Sequence, residues 1–412
     1  MGSKLQKPRV EQDSEMGRGH DFNWGSSAMQ GWRVTMEDSH IHQVTGFGKW
    51  SLIIFQGKLG HLQSVGLFLV FDGHGGSQYA NRIAREFPTF LANENAIKKM
   101  EDDGGYVAEQ IKICIREAFY KYDKRLHEEK LTSGCTASGV LITPHHIFVI
   151  NIGDSRTIVC RDNEILFATE DHKPTCYNER IRIEEAGGLV YRRRVNGELA
   201  VSRALGDFKF KENKQLKQDA QLVTCDAEIE IIKRDGKTDE LIIIGCDGIF
   251  DVMENSEIMD FCIKRIPYKR NLEELCNEIT DYCCFKDSKD NLSVMVLKSD
   301  SSPLQIEPDK ILHEEELNLA IRSHTKEYVD KRFAKGGSGY GWVPAFNKLN
   351  ELHNETIFDV HENTQGLGIS LKKGIIFREF DKLTTIIREK RTEEALQKLL
   401  ADREKKEHTD QR

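Results

Sequence analysis

The chain has 412 residues, 39% of them apolar and 31% charged, enough for one large soluble domain with an appendage. Its net charge of −8 and pI near 6.0 argue against a generic nucleic-acid binder. Ten cysteines with no C-x-x-C spacing exclude a zinc ribbon and point to reduced thiols in a cytoplasmic setting.

Residues 1–22 are polar and read as a flexible arm. They open with Met1-Gly2-Ser3, which has the start of an acylation signal but carries Gln6 where Ser or Thr is usual. From Asn23 to His40, two strand-like runs flank a turn at Gln30-Gly31. Alternation over the second run sets Arg33, Thr35 and Glu37 on one face, with Asp38 where the strand gives out. Arg33 and Glu37 there read either as a surface ion pair or as a guanidinium fork held ready for a phosphate. Residues 46–66 include a strand-like run, Trp50–Phe55, to which no chemistry attaches.

The run Leu67–Phe71 reads as a buried strand that stops on Asp72-Gly73-His74-Gly75-Gly76, ahead of a helix over Ser77–Leu91. A carboxylate at a buried strand end, next to a glycine carbonyl, suits a hard cation, and His74 beside it is a natural proton donor. Alone, this motif reads equally as a tight strand-to-helix turn. A second helix covers 106–129, and strands follow at Ser133–Ile142, His146–Ile152 and Thr157–Cys160, close enough together to favour antiparallel pairing. Tyr177–Ala186 is a helix stopped by Gly187-Gly188, and Arg192-Arg193-Arg194 is a solvated basic patch. Strands at Glu228–Ile232 and Leu241–Ile244 lead to Asp247-Gly248, with Asp251 one helical turn on. Lys289-Asp290-Asn291 precedes a last strand, Leu292–Leu297. Three strand-end aspartates, Asp72, Asp247 and Asp290, read as a carboxylate set for two ions.

Residues 301–412 differ in character. A linker at Ser301-Ser302-Pro303 leads to a charged helix over Glu314–Phe333, a glycine-rich stretch and an apolar stripe from Leu383 to Leu400, together a largely helical extension. No stretch is long and apolar enough to span a membrane.

The blocks Met29–Arg33 with Met36-Glu37-Asp38, Val70–Gly76, Ser133–Ala137, Gly153–Arg156, Glu184–Gly188, Leu199–Gly206, Cys246–Asp251 and Asp290-Asn291 closely resemble, in order, the PP2C (PPM) family of metal-dependent protein serine/threonine phosphatases. The likeness spans residues 20 to 298. It implies an α+β fold: a four-layer α-β-β-α sandwich of two antiparallel sheets flanked by helices, with the phosphatase domain over 23–300.

It also implies hydrolysis of phosphoserine and phosphothreonine in phosphoprotein substrates by a hydroxide bridging two Mg²⁺ or Mn²⁺ ions. Asp72 would bridge them, with the Gly73 carbonyl on one ion and Asp247 and Asp290 on the other. Glu37 and Asp38 would act through waters, Arg33 would hold the phosphate, and His74 would protonate the leaving oxygen. Asp154 and Asp251 match a third, weaker metal site, and Lys173–Tyr191 corresponds to a variable flap. The likeness extends to acylated members, which makes Gly2 a lipidation candidate and adds membrane contact, or the nucleus, to the cytoplasm as a location. A monomer is expected. The competing readings are another two-metal phosphohydrolase and a catalytically silent scaffold.

Overall fold

The computed structural model describes residues 4–19, 21–44, 65–94, 108–129, 131–234 and 240–302, with Leu383 alone beyond them. The chain divides into two compact units, Met1–Glu307 and Pro308–Arg412. Gly2, the run Trp50–Phe55, the charged helix, the glycine-rich stretch and most of the Leu383–Leu400 stripe lie outside the described residues.

The strands are β1 (Lys4–Arg18), β2 (Phe22–Arg33), β3 (Ser39–Val44), β4 (Gly66–Phe71), β5 (Gly73–His74), β6 (Gly134–Cys135), β7 (Ala137–Ile142) and β8 (His146–Ile152). They continue as β9 (Arg156–Arg161), β10 (Glu164–Ala168), β11 (Val190–Tyr191), β12 (Arg194–Val195), β13 (Leu205–Gly206), β14 (Glu228–Lys233), β15 (Glu240–Gly245) and β16 (Leu292–Ser299). One sheet runs β1-β2-β16-β15-β9-β10 and the other β14-β8-β7-β4-β3, with every pairing antiparallel.

A strand buried on both faces needs apolar side chains at every position, and β4 has them. Leu67, Leu69 and Phe71 point to one side, where they join a core with Ile83 and Phe87 of helix Gln78–Ala92 and Ile115 and Phe119 of helix Ala108–Glu128. Phe68 points the other way, edge-on to Phe22 and Trp24 of the six-stranded sheet, with ring centroids 5.6 and 5.9 Å away. Between the sheets, Ser138 on β7 and Thr157 on β9 share a hydrogen bond of 2.9 Å, so the small residues of that strand serve a close sheet-to-sheet contact. Helix Leu272–Phe285 covers the outside of the six-stranded sheet, and Gly25 of β2 lets it in: a Cβ there would fall 2.3 Å from the Leu272 carbonyl carbon. The expected four-layer sandwich is therefore present.

Three expectations fail: the turn expected at Gln30-Gly31 lies inside one continuous strand, β2, and two others concern β1 and the end of β2. The segment expected as a flexible arm is an edge strand, β1, paired with β2 over most of its length. Pro8 and Val10 are buried but the next inward positions, Gln12 and Ser14, are polar, so hydrophobic alternation is too short to reveal the strand. Gln12 Nε2 donates to Asn277 O at 2.8 Å and Thr280 Oγ1 at 2.7 Å, and the Ser14 hydroxyl donates to Glu273 Oε1 at 2.8 Å, all on helix Leu272–Phe285. The strand expected to run on to Glu37 stops at Arg33. Residues 34–38 are irregular because a side chain holds their backbone in place of a neighbouring strand: Asn291 donates to Thr35 O at 3.0 Å and accepts from Glu37 N at 2.9 Å.

Nine of the ten cysteines are buried and all are free; only Cys176 is exposed. Among the described residues, no helix is long and apolar enough to cross a membrane.

Candidate active site

The acidic residues predicted from sequence arrive at one end of the sandwich because strands from both sheets end there. Asp72 follows β4, and its backbone is clamped to Thr136: its N–H donates to Thr136 Oγ1 at 3.2 Å, and its carbonyl accepts from Thr136 N at 2.9 Å. Gly73 must lack a side chain, since a Cβ would sit 2.1 Å from the Glu37 carbonyl oxygen. Glu37 in turn accepts from Gly76 N at 3.1 Å through Oε2 and from the Thr35 hydroxyl at 2.9 Å through Oε1.

Asp247 follows β15 and opens the short helix Asp247–Phe250, whose end carries Asp251. Gly248 allows the chain before β16 to pass, as a Cβ there would meet Asn291 O at 2.0 Å. Asp290 precedes β16 and pairs with Arg33 at the end of β2. Asp154 lies in the β8–β9 turn and pairs with Lys173. Asp38 is buried and accepts from the Ser293 hydroxyl at 2.7 Å.

This packing is electrostatically unfavourable as it stands. Burial, and then the charges of Asp247, Asp38, Asp154 and Asp290, hold the Asp72 carboxyl far above the ordinary carboxylate range. Asp247 is raised in the same way by burial and by Asp154, Asp290 and Asp251. Burial pushes Asp38 up to about 7 against the pull of the Ser293 hydroxyl, with Asp290 adding to the rise. Burial also raises Asp251, while Lys173 opposes. For His74, burial disfavours the charged ring, but the hydrogen bond and charge of Asp207 outweigh it and the net shift is upward.

All the sequence-predicted site residues with described positions therefore belong to one neighbourhood. No three of their acidic or histidine side chains already converge as a finished metal cage among the described residues, because Arg33, Lys173 and Ser293 draw individual carboxylates aside. The donor set still fits a hard cation. It is all oxygen, it is crowded with like charge, and Asp247 Oδ1 is buried with no hydrogen-bond partner.

Three participants escaped the sequence reading. Asn291 ties residues 30–37 to the start of β16, and only its place beside Asp290 hinted at it. Lys173 pairs with Asp154, and no sequence signal marks a single lysine. Asp207 lies 2.5 Å from His74 Nε2 although 133 residues separate them.

Residues 22–292 match the family model described as Protein phosphatase 2C. Protein phosphatase 1A of Bos taurus is 39% identical over 341 residues, 81% of this chain and 85% of that protein. Protein phosphatase ppm-1.A of Caenorhabditis elegans is 35% identical over 80% of this chain and 69% of its own length. Among solved structures, a phosphatase from a pathogenic strain of Toxoplasma gondii shares the fold with a TM-score of 0.57 at 22% identity, over 71% of this chain and 96% of that one.

Proposed function

The chain belongs to the protein phosphatase 2C family and is a protein serine/threonine phosphatase, and from that premise we propose that it hydrolyses phosphoserine and phosphothreonine with the help of divalent cations, Mg²⁺ or Mn²⁺. The observation that carries the cation dependence is the buried, mutually repelling set of Asp72, Asp247 and its neighbours, with Asp247 Oδ1 left unpaired. Asp72, the Gly73 carbonyl, Asp247 and Asp290 would hold two ions, with Glu37 and Asp38 around them and Asp154 and Asp251 available to a third. Bound there, the ions offset the carboxylate charge and make a water molecule acidic enough to serve as nucleophile at neutral pH.

The remaining work falls to the chain's own side chains. Arg33 presents a planar fork whose two N–H groups can take two phosphate oxygens, orienting the group and spreading its charge. Its ion pair with Asp290 sets it beside the acidic set. His74 supplies a proton to the departing serine or threonine oxygen, a contribution on the order of 10²–10⁴ in rate. The substrate is a phosphoprotein, taken by a monomer. Gly2 remains a lipidation candidate that would add contact with a membrane surface.

The test is phosphate release from a phosphothreonine peptide by the full chain with Mn²⁺, then with excess EDTA. Turnover that requires Mn²⁺ and disappears with chelator is expected. Full turnover in EDTA, or none with any divalent ion from folded protein, overturns the proposal.

A further inference from the structure

His74 lies on β5, the edge of a three-stranded sheet ordered β13-β6-β5 that is separate from the two main sheets. The middle strand presents Gly134 to both sides, since Gly134 pairs with His74 on β5 and with Gly206 on β13. Asp207 follows Gly206 directly. Because Gly134 has no side chain, the imidazole and the carboxylate meet across its face: a Cβ on Gly134 would fall 2.1 Å from Asp207 Oδ2 and 2.8 Å from His74 Nε2. The two groups lie 2.5 Å apart, and the carboxylate side chain is only 9% exposed.

The support for Asp207 is built in. Its backbone is in the left-handed region, φ 50°, which a non-glycine residue adopts only when its surroundings impose it. Gly206 N donates to Asp123 Oδ1 at 2.7 Å, and the same oxygen accepts from Tyr79 OH at 2.8 Å. Asp123 Oδ2 lies 2.8 Å from Lys211 Nζ. This buried ion pair fixes the turn that carries Asp207.

We infer that Asp207 is the positioning residue for His74: it accepts the Nε2–H, fixes the ring plane and leaves Nδ1 as the nitrogen that delivers the proton. The inference rests on the proposed role of His74. In the step, a water oxygen forms the new P–O bond and gives up one proton to solvent, while the ester P–O bond breaks with its electron pair going to the threonine oxygen. That oxygen takes the Nδ1 proton of the imidazolium, which becomes a neutral imidazole with Nε2–H still donated to Asp207, and solvent then returns a proton to Nδ1. Inorganic phosphate and the free alcohol result.

A positioned acid matters most when the leaving oxygen is a poor one. The readout is therefore the ratio of turnover on a phosphothreonine peptide to turnover on p-nitrophenyl phosphate, whose phenolate departs without protonation. With the full chain and Mn²⁺, Asp207→Asn should lower that ratio about 10- to 100-fold, the scale expected for a misplaced catalytic group. Gly134→Ala, which wedges the pair apart while keeping both groups, should lower it too. In Asp207→Asn/His74→Gln the ratio should fall no further than in His74→Gln alone. A ratio unchanged in Asp207→Asn while His74→Gln lowers it overturns this inference alone. A ratio unchanged in His74→Gln overturns the proposed role of His74. Equal losses on both substrates in Asp207→Asn mean a structural role and also overturn it. Independently of any variant, histidine-labelled wild type should show a strongly downfield Nε2 proton that is lost in His74→Gln, and its absence refutes the pairing.

Discussion

Glu179 on helix Tyr177–Glu185 lies between two arginines: Arg203 Nη2 is 2.8 Å from Oε1, and Arg182 Nη1 is 3.0 Å from Oε2. The three side chains are 7%, 19% and 15% exposed, so solvent screens them little. Burial alone would raise the carboxyl, but the Arg203 hydrogen bond and the charges of both arginines win and pull it from 4.5 down to about 2. That gap corresponds to about 3 kcal/mol of folding stability. A depressed carboxyl contributes in full above its unfolded value and loses its contribution as pH falls toward its folded value. Glu179→Gln should therefore destabilise the protein by about 3 kcal/mol at pH 7, and the difference from wild type should shrink to about 1 kcal/mol by pH 3. Urea unfolding followed by circular dichroism at several pH values measures both. A difference below about 1 kcal/mol at pH 7, or one that stays constant on acidification, would falsify the argument. Because Arg203 also donates to Asp226 O and Arg182 to Ser202 O, the same variant should loosen helix Tyr177–Glu185 against residues 202–226.

Two further outcomes are expected. Asp247→Ala should reduce turnover on a phosphothreonine peptide by on the order of 10³-fold, as loss of several kcal/mol of charge stabilisation implies. The same variant should melt no lower than wild type without divalent ions, since a repelled buried carboxylate is gone; near-normal turnover would refute its role. Ending the chain at Glu307, where the first compact unit ends, should preserve hydrolysis of a small phosphate ester. Complete loss would show that residues 308–412 support the core and are not a docking or targeting extension.

Much of the sandwich could be read from the sequence because its central strands are buried on both faces. Leu67–Phe71 and Leu241–Ile244 are unbroken apolar runs, and each ends in an Asp-Gly step or close to one, so strand and carboxylate announce each other. The three aspartates come together because β4 lies in one sheet and β15 and β16 are neighbours in the other. What stayed hidden was polar or distant. The inward face of β1 follows Pro8 and Val10 with Gln12 and Ser14, an apolar run too short for hydropathy to distinguish it from a solvated arm. The path of residues 34–38 is dictated by Asn291, more than 250 residues away. The meeting of His74 and Asp207 depends on a glycine in a third segment, and nothing local to either residue encodes it.

The pairing of β2 with β16 carries a consequence for how the chain is made. About 270 residues separate Phe22 from Leu292. At roughly 5–20 residues per second the ribosome needs on the order of 15–50 s to supply the second partner after the first. Throughout that interval β1 and β2 lack both β16 and the helix that accepts Gln12, and their exposed edge is open to wrong partners. Closing a loop of this length is entropically slow, so the six-stranded sheet is a late event in folding. Asp290 arrives with it, immediately ahead of β16. The share of the repulsion that Asp290 adds is therefore deferred until the rest of the fold has been synthesised and can hold the carboxylates together.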